Sequence, residues 1–216
     1  METKIHPERQ VTEAGLETLE IDLIGDRLTS FSPLLQRGVT LRLREETNVS
    51  NFLCQHLGIE AEFVEQAITT IFLNGRPVDD LDRARLGNGD TLALSAAMPG
   101  LVGATMRRQG LVASFRSNIS YREYGRRKQT GASITLVLKL FNLMIEALGP
   151  ALLKRGVLIE RSGWEEFLIR SRPDFWEHCQ AVKLNGQEVH PRGAAPLPWP
   201  ASVRWINLKV YEGSAG

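Results

Sequence analysis

At 216 residues the chain is long for one small domain and comfortable for two of roughly 80 to 100 residues each. A hydrophobic content of 43% and a charged content of 24% exclude wholesale disorder, and a net charge of +1 exerts no global pull toward nucleic acid or an acidic membrane. The two cysteines, Cys54 and Cys179, fall in no metal-ligand spacing, which points to a reducing, cytoplasmic compartment and to thiols used as small apolar side chains.

Met1 to about Gly15 is polar and without apolar period, so a mobile arm with no secretory signal is expected there. From Leu19 the pattern alternates, with Leu19, Ile21 and Leu23 set against Glu20 and Asp22. A second alternating run follows, Val39, Leu41 and Leu43 against Thr40, Arg42 and Arg44. The two runs predict a hairpin with one buried face. Glu45-Glu46-Thr47-Asn48 supplies a helix start, and Val49, Phe52, Leu53, His56 and Leu57 mark one side of a helix closed by Gly58. His56 on that apolar side reads as a core or rim histidine. Ile68 to Leu73 predicts a third strand, ended by the hairpin turn Asn74-Gly75. The turn Gly87-Asn88-Gly89-Asp90 then precedes a fourth strand from Thr91 to Ser95.

Thr105 to Thr130 is a different kind of segment. Arg107, Arg108, Arg116, Arg122, Arg126, Arg127 and Lys128 stand against the single acid Glu123, with Phe115, Tyr121 and Tyr124 interleaved. Two readings stay open for this basic connector. It is a solvated linker whose arginines pair with acidic modules, or a contact surface for RNA through Arg107, Arg108, Arg126, Arg127 and Lys128. The long apolar region Ile134 to Leu153 is interrupted by Lys139, Asn142, Glu146 and Gly149-Pro150, which argues against a membrane span.

The second half echoes the first. Leu152-Leu153-Lys154-Arg155-Gly156-Val157 matches Leu34-Leu35-Gln36-Arg37-Gly38-Val39, and Val182-Lys183-Leu184-Asn185-Gly186 matches Ile71-Phe72-Leu73-Asn74-Gly75, in the same order. Between them, Trp164, Phe167 and Leu168 predict a short helical face ending near Pro173, and Val203 to Tyr211 a last strand. The second half has no counterpart of the Gly-Asn-Gly-Asp turn. His178, Cys179 and His190 have poor geometry for zinc, so no metal site is expected. Trp199 and Trp205 either fill a second core or mark a partner surface.

Strand, strand, helix, strand, short crossing, strand is the element order of the β-grasp, or ubiquitin-like, fold, and the fold class expected is α+β. The phrase Phe72-Leu73-Asn74-Gly75, the turn before Thr91, and Met98-Pro99-Gly100-Leu101-Val102-Gly103-Ala104 resemble the sulfur carriers of molybdopterin and thiamine synthesis, the MoaD and ThiS families. Those proteins finish in a free Gly-Gly at the place where this chain has Gly103-Ala104 and runs on. Two such modules in tandem resemble the BilA-type ubiquitin-like proteins of bacterial antiphage operons. The resemblance implies an arm (1–15), a first β-grasp module (16–104), a basic connector (105–130), a second, diverged module (131–211) and a tail (212–216). It also implies a protein modifier without enzymatic activity, cytoplasmic and in antiviral defence, conjugated to target proteins through Gly216, with Gly213, Ser214 and Ala215 threaded into an activating-type enzyme. That enzyme, not this chain, uses ATP. The other implied partners are a conjugating-type enzyme and a processing metalloprotease, with no cofactor, membrane or nucleic acid. The alternatives are a sulfur-carrier-like or non-conjugated interaction module, and a nucleic-acid adaptor working through the basic connector.

Overall fold

A computed structural model describes residues 15–25, 27–96, 100–108, 110, 120–121, 133–171, 174–191 and 197–213. Its strands are β1 (Leu16–Leu23), β2 (Val39–Leu43), β3 (Thr47–Asn48), β4 (Thr70–Leu73), β5 (Arg76–Pro77), β6 (Arg85–Leu86), β7 (Asp90–Ser95), β8 (Ile134–Phe141), β9 (Val157–Glu160), β10 (Cys179–Leu184), β11 (Gln187–Glu188) and β12 (Trp205–Glu212). The α-helices are α1 (Ser32–Arg37), α2 (Val49–Asn51), α3 (Ala61–Gln66), α4 (Gly100–Met106), α5 (Leu143–Arg155) and α6 (Arg161–Arg170). The class is mixed α and β, consistent with the α+β expectation. The described residues gather into two compact units, one made of residues 41–144 and the other of those before 41 and after 144. The segments that pack together are therefore not the contiguous stretches 16–104 and 131–211.

The first unit is built on the sheet order β2-β8-β7-β4-β5. Its centre is the parallel pair β7 and β8, in register from Asp90 opposite Leu136 to Ser95 opposite Phe141. A parallel pair cannot be closed by a tight turn, so the chain between its members has to cross over. β4 lies antiparallel to β7 on the other side and turns into β5 at Asn74-Gly75, both residues at positive φ (53° and 76°) as a narrow hairpin requires. Leu92, Leu94, Leu136, Leu138, Leu140, Ile71 and Leu73 are all fully buried, and they form the core of this unit. The helix starts where Asn48 caps it, its side-chain oxygen accepting from the Asn51 amide at 2.7 Å. It then widens into a π turn over Phe52–His56, closed by the Leu57 amide donating to the Phe52 carbonyl, and α3 follows. Val49, Phe52 and Leu53 face inward as the spacing predicts, and His56 stacks on Phe52 at 6.4 Å.

The second unit has the sheet order β11-β10-β1-β12-β9. β1 runs parallel to β12 from Leu16 opposite Trp205 to Leu23 opposite Glu212, and antiparallel to β10. The predicted hairpin of β1 with β2 does not form. The intervening residues are not a turn: Leu28–Phe31 make a 3-10 helix and Ser32–Arg37 make α1, and they carry Phe31, Leu34 and Leu35 into the core. A connection of that kind imposes no antiparallel neighbour, so β1 pairs where its side chains are best met. Leu19, Ile21 and Leu23 are at most 1% exposed between β10 and β12. On its more open face Glu20 stands opposite Lys209 and accepts from it at 3.0 Å. The repeated Leu-Leu-x-Arg-Gly-Val phrase is the same device twice, a helix end, a glycine at positive φ (117° at Gly38, 102° at Gly156) and a strand start. α6 begins at Arg161, earlier than Ser162-Gly163 suggests, and buries Trp164 and Phe167. These two pack with Phe31, Phe175 and Trp176 in an aromatic cluster whose ring centroids lie 4.9–6.3 Å apart. Trp199 and Trp205 are both core residues, and the Arg161 guanidinium sits 5.7 Å over the Trp199 ring.

The missing turn of the second half has a counterpart elsewhere in the chain. In the first unit Asn74 grips the start of β7: its amide donates to the Thr91 carbonyl at 2.8 Å, its side-chain oxygen accepts from the Thr91 amide at 2.9 Å, and its side-chain nitrogen donates to Asp90 at 2.8 Å. In the second unit Asn185 makes the same three bonds, to the Thr18 carbonyl at 2.8 Å, from the Thr18 amide at 2.9 Å, and to the Glu17 carboxylate. Glu17-Thr18-Leu19-Glu20-Ile21 is thus the partner of Asp90-Thr91-Leu92-Ala93-Leu94, and the N-terminal strand fills in the second unit the place that β7 fills in the first.

Candidate functional site

The end of β12 is held by hydrogen bonding. The Gly213 amide donates to the Leu23 carbonyl at 2.8 Å, one step beyond the β1–β12 ladder. A Cβ built on Gly213 would lie 2.5 Å from that carbonyl oxygen and 2.8 Å from the Gln180 side chain, so only glycine lets the strands close this tightly. Of the expected threading residues, Gly213 therefore anchors the tail to the sheet. Ser214, Ala215 and the expected conjugation residue Gly216 lie outside the described residues.

The stretch that resembles the end of the sulfur carriers is helical in this chain. Gly103 and Ala104 stand inside α4, with Gly103 buried and its carbonyl accepting from the Arg107 amide at 3.1 Å.

Of the expected basic contacts, Arg108 is not at the surface. It is 7% exposed, its amide donates to the Thr69 carbonyl at 2.7 Å, and its guanidinium donates to the Val64 carbonyl at 3.0 Å and faces Glu65 at 3.4 Å. The sequence placed it with its basic neighbours, but α4 turns it back onto the start of β4, where carbonyls claim it. Arg107 is exposed, whereas Arg126, Arg127 and Lys128 lie outside the described residues, as do Phe115, Arg116, Arg122 and Tyr124. Tyr121 is described, its amide donating to the Pro77 carbonyl at 2.8 Å.

His178 faces Asp174 at 3.0 Å, and Cys179 turns its thiol to the Phe175 carbonyl at 3.5 Å. Burial pushes that thiol up to about 11, which keeps it protonated and a poor nucleophile at neutral pH. Among the described residues no three His, Cys, Asp or Glu side chains converge as metal ligands, and no helix is long and apolar enough to cross a membrane.

The second unit also holds a cleft of about 1070 Å³, which the sequence did not announce. α1 and the turn before it form one wall, α6 the other, and the end of β1 with the Phe175–His178 turn closes it. Its floor is apolar, with Leu23, Leu34, Phe167 and Phe175, the last two shared with the aromatic cluster beneath. Its rim is charged. Glu166 takes Arg37 on one oxygen and Arg170 on the other at 2.7 Å, and the hydrogen bond from Arg37 foremost, with the two positive charges, holds its carboxyl below the usual carboxylate range. These residues come from 23–37 and 163–178 and meet because β1 is inserted beside β10. The readable clue was the Glu-Thr-Leu-x-Ile echo of Asp-Thr-Leu-x-Leu, which assigns β1 to the later half.

Comparison of the chain with protein-family models, with curated proteins and with solved structures finds no match in any of the three.

Proposed function

We propose that the chain is a tandem β-grasp, ubiquitin-like protein without catalysis of its own, acting as a modifier that is joined to target proteins through Gly216. The observation that carries the reading is the Asn grip found twice, on Thr91 in one unit and on Thr18 in the other. The reading is supported by two units whose strands lie in one spatial order, so that each can supply the parts of a β-grasp. In the first unit these are β8, β2, a helix, β4, β5 and β7, and in the second β12, β9, α6, β10, β11 and β1. Neither unit holds these parts in the chain order of a contiguous module: the first takes β8 from beyond residue 130, and the second takes β1 from the N-terminal side of the chain. β1 and β12 run parallel and in register, so β12 ends level with β1, and Gly213 follows at the end of the sheet where a β-grasp tail departs. The residues that follow, Ser214, Ala215 and Gly216, carry little side-chain bulk for a narrow activating channel.

Conjugation would take three steps. The Gly216 carboxylate attacks the α-phosphorus of ATP and expels pyrophosphate, a cysteine thiolate of the activating enzyme displaces AMP, and a target amine, after passage through a conjugating-type enzyme, displaces the thiol to leave an amide. The test is recovery of the tagged full chain from its native cells under denaturing conditions. Higher-mass species that survive reductant and vanish on deleting Gly216 are expected. Their absence, with ATP–pyrophosphate exchange also absent when a candidate activating enzyme is supplied, would leave a non-conjugated interaction module. That second reading is favoured by the anchoring of Gly213.

A further inference from the structure

We propose that the cleft between α1 and α6 is a docking site for a short acidic segment of a partner protein, with apolar side chains on its Phe167–Phe175 floor and carboxylates on its arginine rim. This inference stands whether or not Gly216 is conjugated. The charges on the rim do not balance. Arg27, Arg37 and Arg170 face it with Glu166 and Asp174, and Glu166 alone serves both Arg37 and Arg170 while Asp174 is engaged by His178. Arg27 is exposed, and its guanidinium meets no carboxylate among the described residues. An arriving carboxylate finds one guanidinium unclaimed and two others sharing a single acid, an arrangement that favours anions bound by charge-assisted hydrogen bonds.

The apolar side of the cleft sets the other requirement. Leu34, Phe167 and Phe175 present carbon along the floor, and Ile24, 54% exposed, adds an aliphatic side chain at the mouth. A simple anion would leave this surface wet. The cleft, about 1070 Å³, lies at the upper end of the roughly 300–1,000 Å³ typical of ligand pockets, which leaves room for several residues of a peptide. A bound segment would resemble other recognition sites in which apolar anchors give affinity and arginines read acidic residues.

The test uses the full chain and fluorescein-labelled ten-residue peptides in which Leu, Ile or Phe alternates with Asp or Glu, read by anisotropy. The controls are the same peptides with Lys in place of the acids, and dodecanoate as a small amphiphilic anion. Expected are saturable binding of acidic peptides at least tenfold tighter than of the Lys set, weakening with salt, and a change in tryptophan emission through Trp164, whose ring is 5.3 Å from that of Phe167. Arg27→Glu and Ile24→Glu alter exposed side chains and should leave far-UV circular dichroism and the unfolding midpoint unchanged while weakening the acidic peptides at least tenfold each. Equal binding of acidic and basic peptides, no binding of either, insensitivity to Arg27→Glu, or binding of dodecanoate alone would each overturn the proposal.

Discussion

Replacing Ile21 by Ala in the N-terminal strand should destabilise the unit that holds all four tryptophans. Ile21 is 0% exposed, between Val182 on β10 and Val210 on β12, and Trp164, Trp176, Trp199 and Trp205 are all buried residues of this unit. Truncating a fully buried Ile costs about 2–5 kcal/mol. With a urea m-value of about 2 kcal/mol/M, the midpoint reported by tryptophan fluorescence should fall by roughly 1–2.5 M. Had β1 paired with β2 in a contiguous first module, the damage would lie among residues with no tryptophan. A midpoint unchanged by fluorescence but lowered by circular dichroism would refute the pairing. Glu20→Cys with Lys183→Cys, in a background where Cys54 and Cys179 are Ala, tests the register directly. Residues 20 and 183 are directly opposite on antiparallel strands, within the reach of a disulfide. Oxidation should lock them, and failure to do so in the folded protein would count equally against the arrangement.

Asn185→Ala should cost about 1–3 kcal/mol, measured by urea unfolding, because it removes the bonds to Thr18 and Glu17 and leaves a non-glycine, non-asparagine residue at φ 51°. Asn74→Ala should have a similar cost in the first unit, and a negligible effect of both would show that the two grips are incidental. Gly213→Val should break the bond to Leu23 without unfolding the protein, seen as lost amide protection at residue 213, whereas retained protection would mean the predicted clash with the Leu23 carbonyl is relieved elsewhere. Cys179 keeps its proton to about 11 when folded, against about 8.5 in an unfolded chain. Between those values the folded state binds more protons, so stability falls as pH rises through that window. Unfolding midpoints of the wild type and Cys179→Ala at pH 8 and pH 10.5 should diverge in that sense, and parallel curves would contradict it.

Local physics was readable in the chain. The Asn-Gly turns, the glycine after each Leu-Leu-x-Arg helix end, the Asn48 cap and the alternation of Leu19, Ile21 and Leu23 all follow from φ preference, capping and period, which act over a few residues. Strand partners were not readable in this way. Alternation shows that β1 has one face to bury but not against which strand, and proximity in sequence pointed to β2 although Asn185, Lys209 and the aliphatic faces of β10 and β12 hold it. The same limit hid the burial of Arg108, which follows from where α4 turns, and the cleft, whose arginines stand on segments far apart in the chain. Helix ends and turns are decided by bonds between near neighbours, so residue order suffices for them. The completion of each sheet by a strand from the other half was decided by long-range packing, which only the folded chain specifies.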